Sequence, residues 1–73
     1  MARPLDRNLQ GRILQAVRKF HRENGYSPSM ADIKRMAKVS SKNVVRYHLL
    51  ILQEEGFITL QPGIPRSIAL VED

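Results

Sequence analysis

The sequence contains no cysteine, which excludes disulfides and zinc sites built on thiolates. It also contains no run of about 18 consecutive apolar residues, which a membrane-spanning helix requires, and its first residues, MARPLDRN, lack the apolar stretch of a signal peptide. The chain has 73 residues, 42% of them hydrophobic, which suits one small domain with one apolar core. We therefore expect a single cytoplasmic domain over residues 1–73 with no membrane partner.

Residue patterns typical of enzymes are scarce. The histidines His21 and His48 stand 27 positions apart, and Ser40 and Ser41 suit the start of a helix better than nucleophilic catalysis. We therefore expect no enzymatic activity, no metal site and no cofactor. His21 is expected on the surface. His48, at the edge of an apolar helix face, is expected to be a hydrogen-bonded packing residue rather than a phosphate ligand or a pH switch.

Acidic residues are absent from Ile33 to Gln53, a stretch that holds five basic residues. Residues 1–53 hold eleven Lys or Arg and three acids, a net charge of +8, whereas residues 54–73 hold one Arg and four acids, a net charge of −3. Charge is therefore segregated along the chain, and the first segment carries a positive field that attracts phosphates. The alternative is a solvated basic surface that keeps the protein soluble.

Hydrophobic periodicity predicts three helices. The first spans about 6–24, where Asp6 or Asn8 can cap the start. The second spans about 29–37 and has Ser and Asp at the positions of a capping box. The third spans about 40–55. Because two residues join the second helix to the third, this pair is predicted to be a helix-turn-helix, whose second helix normally enters the DNA major groove.

The third predicted helix has two different faces. At 3.6 residues per turn, one stripe is suited to packing and comprises Val45, His48, Leu49 and Leu52. The opposite stripe is free to contact another molecule and comprises Asn43, Arg46, Tyr47 and Leu50. Leu50 is unusual there because it is apolar; either a neighbouring element covers it or it marks a contact with a second copy.

Alternating apolar residues predict a β-hairpin over about 57–70, with strands at 57–60 and 67–70. A hairpin that follows a helix-turn-helix is called a wing. Arg66, at its base, is expected to reach the DNA backbone or a minor groove, or to act as an edge charge that discourages aggregation. The predicted fold class is mainly α with a small β-hairpin, a three-helix winged helix-turn-helix.

Three stretches in this order and spacing, GYSPSMADI, SSKNVVRYHLLILQEEGFI and PGIPRSIAL, resemble the amino-terminal DNA-binding domain of LexA-type SOS repressors. The resemblance runs from about residue 5 to residue 70. It implies a bacterial or phage protein of the nucleoid that binds operator DNA as a pair of domains on paired half-sites. It also implies transcriptional repression in the SOS response to DNA damage.

The resemblance further implies which residues of the third helix face the DNA groove. They are Ser41, Asn43, Val44, Arg46 and Tyr47. Their chemistry agrees, because Arg46 can donate two hydrogen bonds to guanine, Asn43 can pair with adenine and Val44 can touch a thymine methyl. Tyr47 can bond a phosphate or pack against a base edge. Lys42 stands where the family commonly has proline, and the residues at 44, 46 and 47 depart from the acidic or histidine-containing versions of some members, so no operator sequence is implied.

Five basic residues are expected to contact DNA phosphates, which sets the position of a protein on DNA without sequence preference. These residues are Lys34, Arg35, Lys38, Lys42 and Arg66.

LexA-type repressors join this kind of domain to a carboxy-terminal part that dimerises and cleaves the chain with a Ser-Lys pair. The 73-residue sequence has no counterpart of that part and no Ala-Gly cleavage linker. We therefore expect no self-cleavage by this chain. It is either a free-standing small regulator or a domain excised from a larger protein.

A different hypothesis is a protein-interaction module that keeps the winged-helix fold. This hypothesis is based on Tyr47, Leu50 and Ile51, because apolar and aromatic residues on the outward face of a helix suit a protein partner. Binding to single-stranded DNA or RNA has less support, since two Phe, two Tyr and no Trp are too few for a stacking platform.

Overall fold

The computed structural model describes residues 7–61, 63–64 and 66–71. The order of elements is α1 (Arg7–Asn24), α2 (Met30–Ala37), α3 (Lys42–Glu54), β1 (Ile58–Thr59) and β2 (Ala69–Leu70). The two strands form an antiparallel hairpin. The predicted fold class, three helices followed by a small wing, is therefore confirmed. None of the helices in the described ranges is long and apolar enough to cross a lipid bilayer.

Helix α1 is an amphipathic helix, and the centre of its apolar stripe is buried. Ile13 and Val17 are completely buried one turn apart, as the 3.6-residue period requires. Asn8 lies inside the helix and is not its N-cap, and Asp6, the other predicted cap, lies outside the described residues. The helix ends at Gly25, whose φ of +78° and N–H bond to the carbonyl of His21 satisfy the last turn.

Helix α2 begins with the predicted capping box. The hydroxyl of Ser29 accepts from the N–H of Asp32 at 3.1 Å, and the Asp32 carboxylate accepts from the N–H of Ser29 at 3.0 Å. The helix ends at Lys38, which adopts the left-handed conformation with a φ of 57°. This conformation costs a residue other than glycine about 1 kcal/mol, and it turns the chain sharply toward α3.

The turn and the start of α3 differ slightly from the prediction. Val39 is buried in the turn and joins the core. Ser41, rather than Ser40, is the N-cap, because its hydroxyl accepts from the N–H of Val44 at 3.3 Å. The helix therefore starts at Lys42, two residues later than expected, and ends before Gly56.

The hairpin strands are two residues long, shorter than the predicted strands at 57–60 and 67–70. The register pairs Ile58 with Leu70 and Thr59 with Ala69. At the next hydrogen-bonding position the hydroxyl of Ser67 accepts from the N–H of Gln61 at 3.2 Å and donates to its carbonyl at 3.1 Å. The N–H groups of Leu60 and Ile68 face away from the opposite strand and donate to Oε1 of Gln53 and Oγ of Ser27 in the helical body. The ladder therefore stops where a side chain takes the place of the backbone.

One apolar core joins the three helices and the hairpin. Each helix contacts the other two, and β1 packs on α3. The buried apolar residues are Ile13, Ala16, Val17, Ile33, Ala37, Val39, Val45, Leu49, Leu52, Ile58 and Ile68. The outward face of α3 is left uncovered by this arrangement.

Candidate nucleic-acid interface

Helix α3 divides into a buried face and an exposed face, as its periodicity predicts. Val45, Leu49 and Leu52 have at most 1% of their surface exposed. The opposite side is exposed and comprises Lys42, Asn43, Arg46, Tyr47 and Leu50. Because the inward face is filled, the orientation of the helix on the body is fixed and the polar side chains project into solvent.

The five residues predicted to contact bases are not equivalent. Asn43, Arg46 and Tyr47 are exposed on α3. Ser41 and Val44 are half-buried: Ser41 caps the helix, and Val44 packs against the edge of the core. The structure therefore brings three of the predicted residues together on the open face and places the other two at its margin.

Four of the basic residues predicted to contact phosphates lie within the helix-turn-helix. Lys38 is exposed in the turn, and Lys42 is exposed in the first turn of α3. Arg35 has 71% of its side chain exposed and pairs with the Asp32 carboxylate at 3.1 Å, while Lys34 is half-buried. Of these cations, Lys42 belongs to the exposed face of α3 and lines the same groove as Arg46, and Lys38 lies in the turn that precedes that helix.

Arg66, the fifth of these basic residues, makes contacts that the sequence did not indicate. Its Nη1 donates to Oδ2 of Asp32 at 3.0 Å and to the carbonyl of Ser27 at 3.1 Å. The guanidinium carbon lies 5.7 Å from the ring centre of Phe20 and 5.3 Å from that of Tyr26, within cation–π range. Arg66 lies outside both strands and is bonded to the helical body. Its contact with a phosphate stays a prediction.

Asp32 has a strongly perturbed carboxyl group. The backbone N–H of Ser29 is the largest cause, with the Ser29 side chain, Arg35 and Arg66 also favouring the charged form. Together they lower the pKa of Asp32 from 3.8 to about 2, against the opposing effect of desolvation. Asp32 is therefore ionised at neutral pH and holds two arginines, one on α2 and one in the hairpin.

A groove of about 460 Å³ lies between the start of α2, helix α3 and the hairpin. Its lining includes Lys42, Arg46 and Leu50 from α3, and Ile64 and Arg66 from the hairpin. Leu50 keeps 45% of its surface exposed, so the hairpin covers this unusual residue only in part. The groove places the hairpin beside the face that carries Arg46.

The two histidines both join separate parts of the fold. His48 is 3% exposed and bonds through Nδ1 to Oε1 of Gln10 on α1, which confirms the predicted packing role. The expectation that His21 lies on the surface is wrong: it is half-buried, and its Nε2–H donates to the carbonyl of Ile68 at 2.9 Å. His21 faces the hairpin because the edge of α1 packs there, and no local sequence signal shows this.

Arg12 is another residue whose role was missed. Its Nη2 donates to the carbonyl of Ala37 at 3.0 Å, at the end of α2. This bond satisfies a carbonyl next to the turn of the helix-turn-helix. Within the described ranges, no group of three or more His, Cys, Asp or Glu residues could hold a metal ion.

Comparison with known proteins adds independent information. The family model described as LexA DNA binding domain matches residues 3–67. The chain is 40% identical over 62 residues to the LexA repressor of Herpetosiphon aurantiacus, covering 85% of this chain and 29% of that protein. It is 37% identical over 65 residues to the LexA repressor of Thermosipho africanus, covering 89% and 32%.

A third relative, the LexA repressor of Cellvibrio japonicus, is 35% identical over 63 residues, covering 86% of this chain and 32% of that protein. The chain therefore spans about three tenths of the length of these relatives. The family model covers α1, α2, α3 and β1 and ends before β2.

Proposed function

This chain belongs to the LexA DNA-binding domain family, and from that premise we propose that it acts as one domain that binds operator DNA in a sequence-specific manner and represses transcription. The observation that carries the proposal is the exposed face of α3. It presents Asn43, Arg46 and Tyr47 directly after a turn that contains Lys38 and no acid. This arrangement combines base-contacting chemistry with phosphate attraction. Neither a catalytic role nor a cofactor is part of the proposal.

The proposed base contacts are made by the exposed residues of α3. Arg46 donates two hydrogen bonds to guanine O6 and N7, and Asn43 pairs with adenine N6 and N7. Tyr47 contacts a base edge or a phosphate. At the margin, Ser41 and the exposed part of Val44 reach the base or backbone nearest the helix start. Each bidentate contact contributes about 1 to 3 kcal/mol of discrimination.

The proposed phosphate contacts lie around the turn and set the position of α3 on the DNA. They are made by Lys34, Arg35, Lys38 and Lys42. Arg66 is engaged by Asp32, so its charge is less available to a phosphate.

We further infer that two copies bind paired half-sites, since a domain this small contacts few base pairs. The pair forms on DNA and not in free solution. Sedimentation of the free protein is expected to give a monomer, and the operator complex is expected to give two copies per duplex. A tight dimer without DNA would contradict this part of the proposal.

The first test is a selection of bound duplexes from a random pool, followed by titration of the best sequence at two salt concentrations. We expect an enriched inverted repeat and a steep loss of affinity with salt. Arg46→Ala should weaken binding to the selected duplex by about 1 to 3 kcal/mol more than binding to random duplex.

Lys38→Gln is the matched control for Arg46→Ala. It also removes one exposed cation, but from the turn, so it should weaken both duplexes equally and reduce the log–log salt slope by roughly 0.9. An equal loss on both duplexes for Arg46→Ala would show that Arg46 is a phosphate contact. Absence of any enriched sequence would contradict sequence-specific binding.

A protein-interaction module is the second candidate function. Tyr47 and Leu50 on α3 are 41% and 45% exposed, and Ile64 in the hairpin is 57% exposed beside the same groove. These exposed apolar groups suit a protein partner. Weak binding to duplex DNA that barely changes with salt, together with no enriched sequence, would favour this function.

A further inference from the structure

The hairpin is attached to the helical body through a small number of polar contacts at its base. Arg66 makes two of them, to the Asp32 carboxylate and to the Ser27 carbonyl. The backbone of Ile68 makes two more, because its N–H donates to Ser27 and its carbonyl accepts from His21. The hairpin therefore docks through two neighbouring positions on the last turn of α1, the segment between α1 and α2, and the first turn of α2.

The geometry around Arg66 is demanding. The residue has a φ of 54°, in the left-handed region that residues other than glycine seldom adopt. Its guanidinium lies against Phe20 and Tyr26, whose rings pack edge to face at a centroid distance of 5.4 Å. The Asp32 carboxylate is held in turn by the Ser29 N–H. Both partners of the ion pair are thus also held in place by contacts with other residues.

The location of Asp32 is unexpected on electrostatic grounds. It is the one acid between residues 24 and 53, the stretch that carries the basic turn and α3. An acid beside a phosphate-binding surface repels DNA, so simple electrostatics favours its removal. Its side chain is 12% exposed and its two oxygens bind Arg35 and Arg66. Asp32 therefore has a structural role that offsets its repulsion of DNA.

We propose that Asp32 and Arg66 form a latch that holds the hairpin beside α3, and that both are positioning residues for DNA binding. The inference rests on the proposed function. It assigns Arg66 a role other than phosphate contact: its guanidinium is already bonded to the Asp32 carboxylate and the Ser27 carbonyl, and these bonds fix the hairpin. The latch fixes the width of the groove between the hairpin and the α3 face that carries Arg46.

The first experiment needs no DNA. Amide hydrogen exchange followed by NMR reports separately on hairpin amides, such as those of Leu60, Ile68 and Val71, and on core helix amides, such as that of Leu49. Asp32→Asn and Arg66→Gln should each speed exchange in the hairpin by roughly tenfold or more, because each removes a charged hydrogen bond.

Two controls identify the source of that effect. Ser29→Ala removes the hydroxyl half of the capping box but leaves the latch, so it should speed exchange at the start of α2 and leave the hairpin unchanged. Arg35→Gln removes the other arginine bound to Asp32 and should also leave the hairpin unchanged. Retained protection of the Leu49 amide shows that a variant is folded. Hairpin exchange that stays at the wild-type rate in both Asp32→Asn and Arg66→Gln would overturn the latch.

The second experiment measures whether removing the negative charge of Asp32 strengthens or weakens DNA binding. Asp32→Asn removes a negative charge near the basic turn, so simple electrostatics predicts tighter DNA binding, whereas the latch predicts binding that is weaker by several-fold. Glu23→Gln, an exposed acid on α1, is the matched charge control and should leave affinity unchanged or slightly raised. Operator binding by Asp32→Asn that is as tight as wild type would overturn the positioning role.

Salt dependence separates positioning from phosphate contact at Arg66. Arg66→Gln should weaken operator binding as much as Asp32→Asn while leaving the salt slope unchanged, and the double variant should lose no more than either single variant. A decrease in slope of roughly 0.9 for Arg66→Gln would make it a phosphate contact instead. If the wild-type protein shows no sequence preference, the proposed function fails, and hairpin exchange still decides whether the latch exists.

Discussion

The helical body and the hairpin of this chain are stabilised by different physical interactions. Three helices bury an apolar core in which Ile13, Val17 and Leu49 have no exposed surface. The hairpin has two residues in each strand, inserts Ile58 and Ile68 into that core and packs Leu60 and Leu70 against its edge. Hydrogen bonds to the helical body supplement this smaller apolar contact. Apolar burial is non-directional, whereas hydrogen bonds fix orientation.

Because of this difference, the stability of the whole chain and the position of the hairpin can be changed independently. Removing core volume lowers the free energy of unfolding of the whole chain. Removing one polar contact at the base of the hairpin instead opens the hairpin locally, because local opening requires much less free energy than global unfolding.

The largest expected effect comes from Leu49→Ala. The change leaves a cavity at a completely buried position and should lower the free energy of unfolding by about 2 to 5 kcal/mol. Denaturant unfolding followed by circular dichroism measures it. Leu50→Ala, the exposed neighbour, is the matched control and should change stability by about 0.5 kcal/mol or less. Similar losses for the two variants would show that the core does not dominate stability.

A smaller and more local effect is expected from Ser27→Ala. The Ser27 hydroxyl accepts from the N–H of Ile68 at 3.0 Å in a buried setting, so its loss leaves an unpaired donor at a cost of about 1 to 3 kcal/mol. Exchange of the Ile68 amide should accelerate while the α1 amides change little. Ser40→Ala, in the exposed turn, serves as the control. Uniform acceleration in all elements would mean that the hairpin and the body open together.

Lowering the pH should destabilise the hairpin before the helical body, without any substitution. The folded-state pKa of Asp32 is about 2 and its ordinary value is 3.8, so the ionised form stabilises the fold fully above about pH 4. That contribution is lost as pH falls toward 2. NMR spectra recorded down this range should show the hairpin amides losing protection before the core amides. Asp32→Asn should remove this pH dependence; an unchanged pH profile in that variant would assign the transition to other groups.

The smallest expected effect is a gain in the stability of the helical body alone. Gly11 is exposed within α1, and an added Cβ would meet no described atom within 4 Å. Gly11→Ala should therefore stabilise the helix by about 0.5 to 1 kcal/mol, seen as a higher Tm. Hairpin exchange should stay the same. A lower Tm would reveal an unfavourable contact at this surface.

Local patterns were sufficient to predict the helices and the capping box of α2. These features depend on residues three or four positions apart, as in the bonds between Ser29 and Asp32. Strand length could not be predicted in the same way. The ladder ends after Thr59 and Ala69 because the Ser67 hydroxyl replaces the next backbone bonds. The Ile68 amide is held by Ser27, a contact that spans 41 positions.

The candidate site shows the same limit. Periodicity places Asn43, Arg46 and Tyr47 on the open side of α3, and they are exposed there. It gives no information about Arg66, which binds Asp32 across 34 positions, or about His21, which binds Ile68 across 47. Contacts at such separations depend on how the helices pack, and a single sequence carries no local signal for them.

The pairing of a buried face and an open face on α3 has a consequence for how this kind of protein can diversify. Val45 and Leu49 fill the interior, and His48 is bonded to Gln10, so the rotation of the helix about its own axis is set from within. Under the proposed function, changes at the exposed Asn43 or Tyr47 alter the DNA preference at a small cost in stability, because neither residue belongs to the core. The family can then change its recognition while the scaffold stays the same.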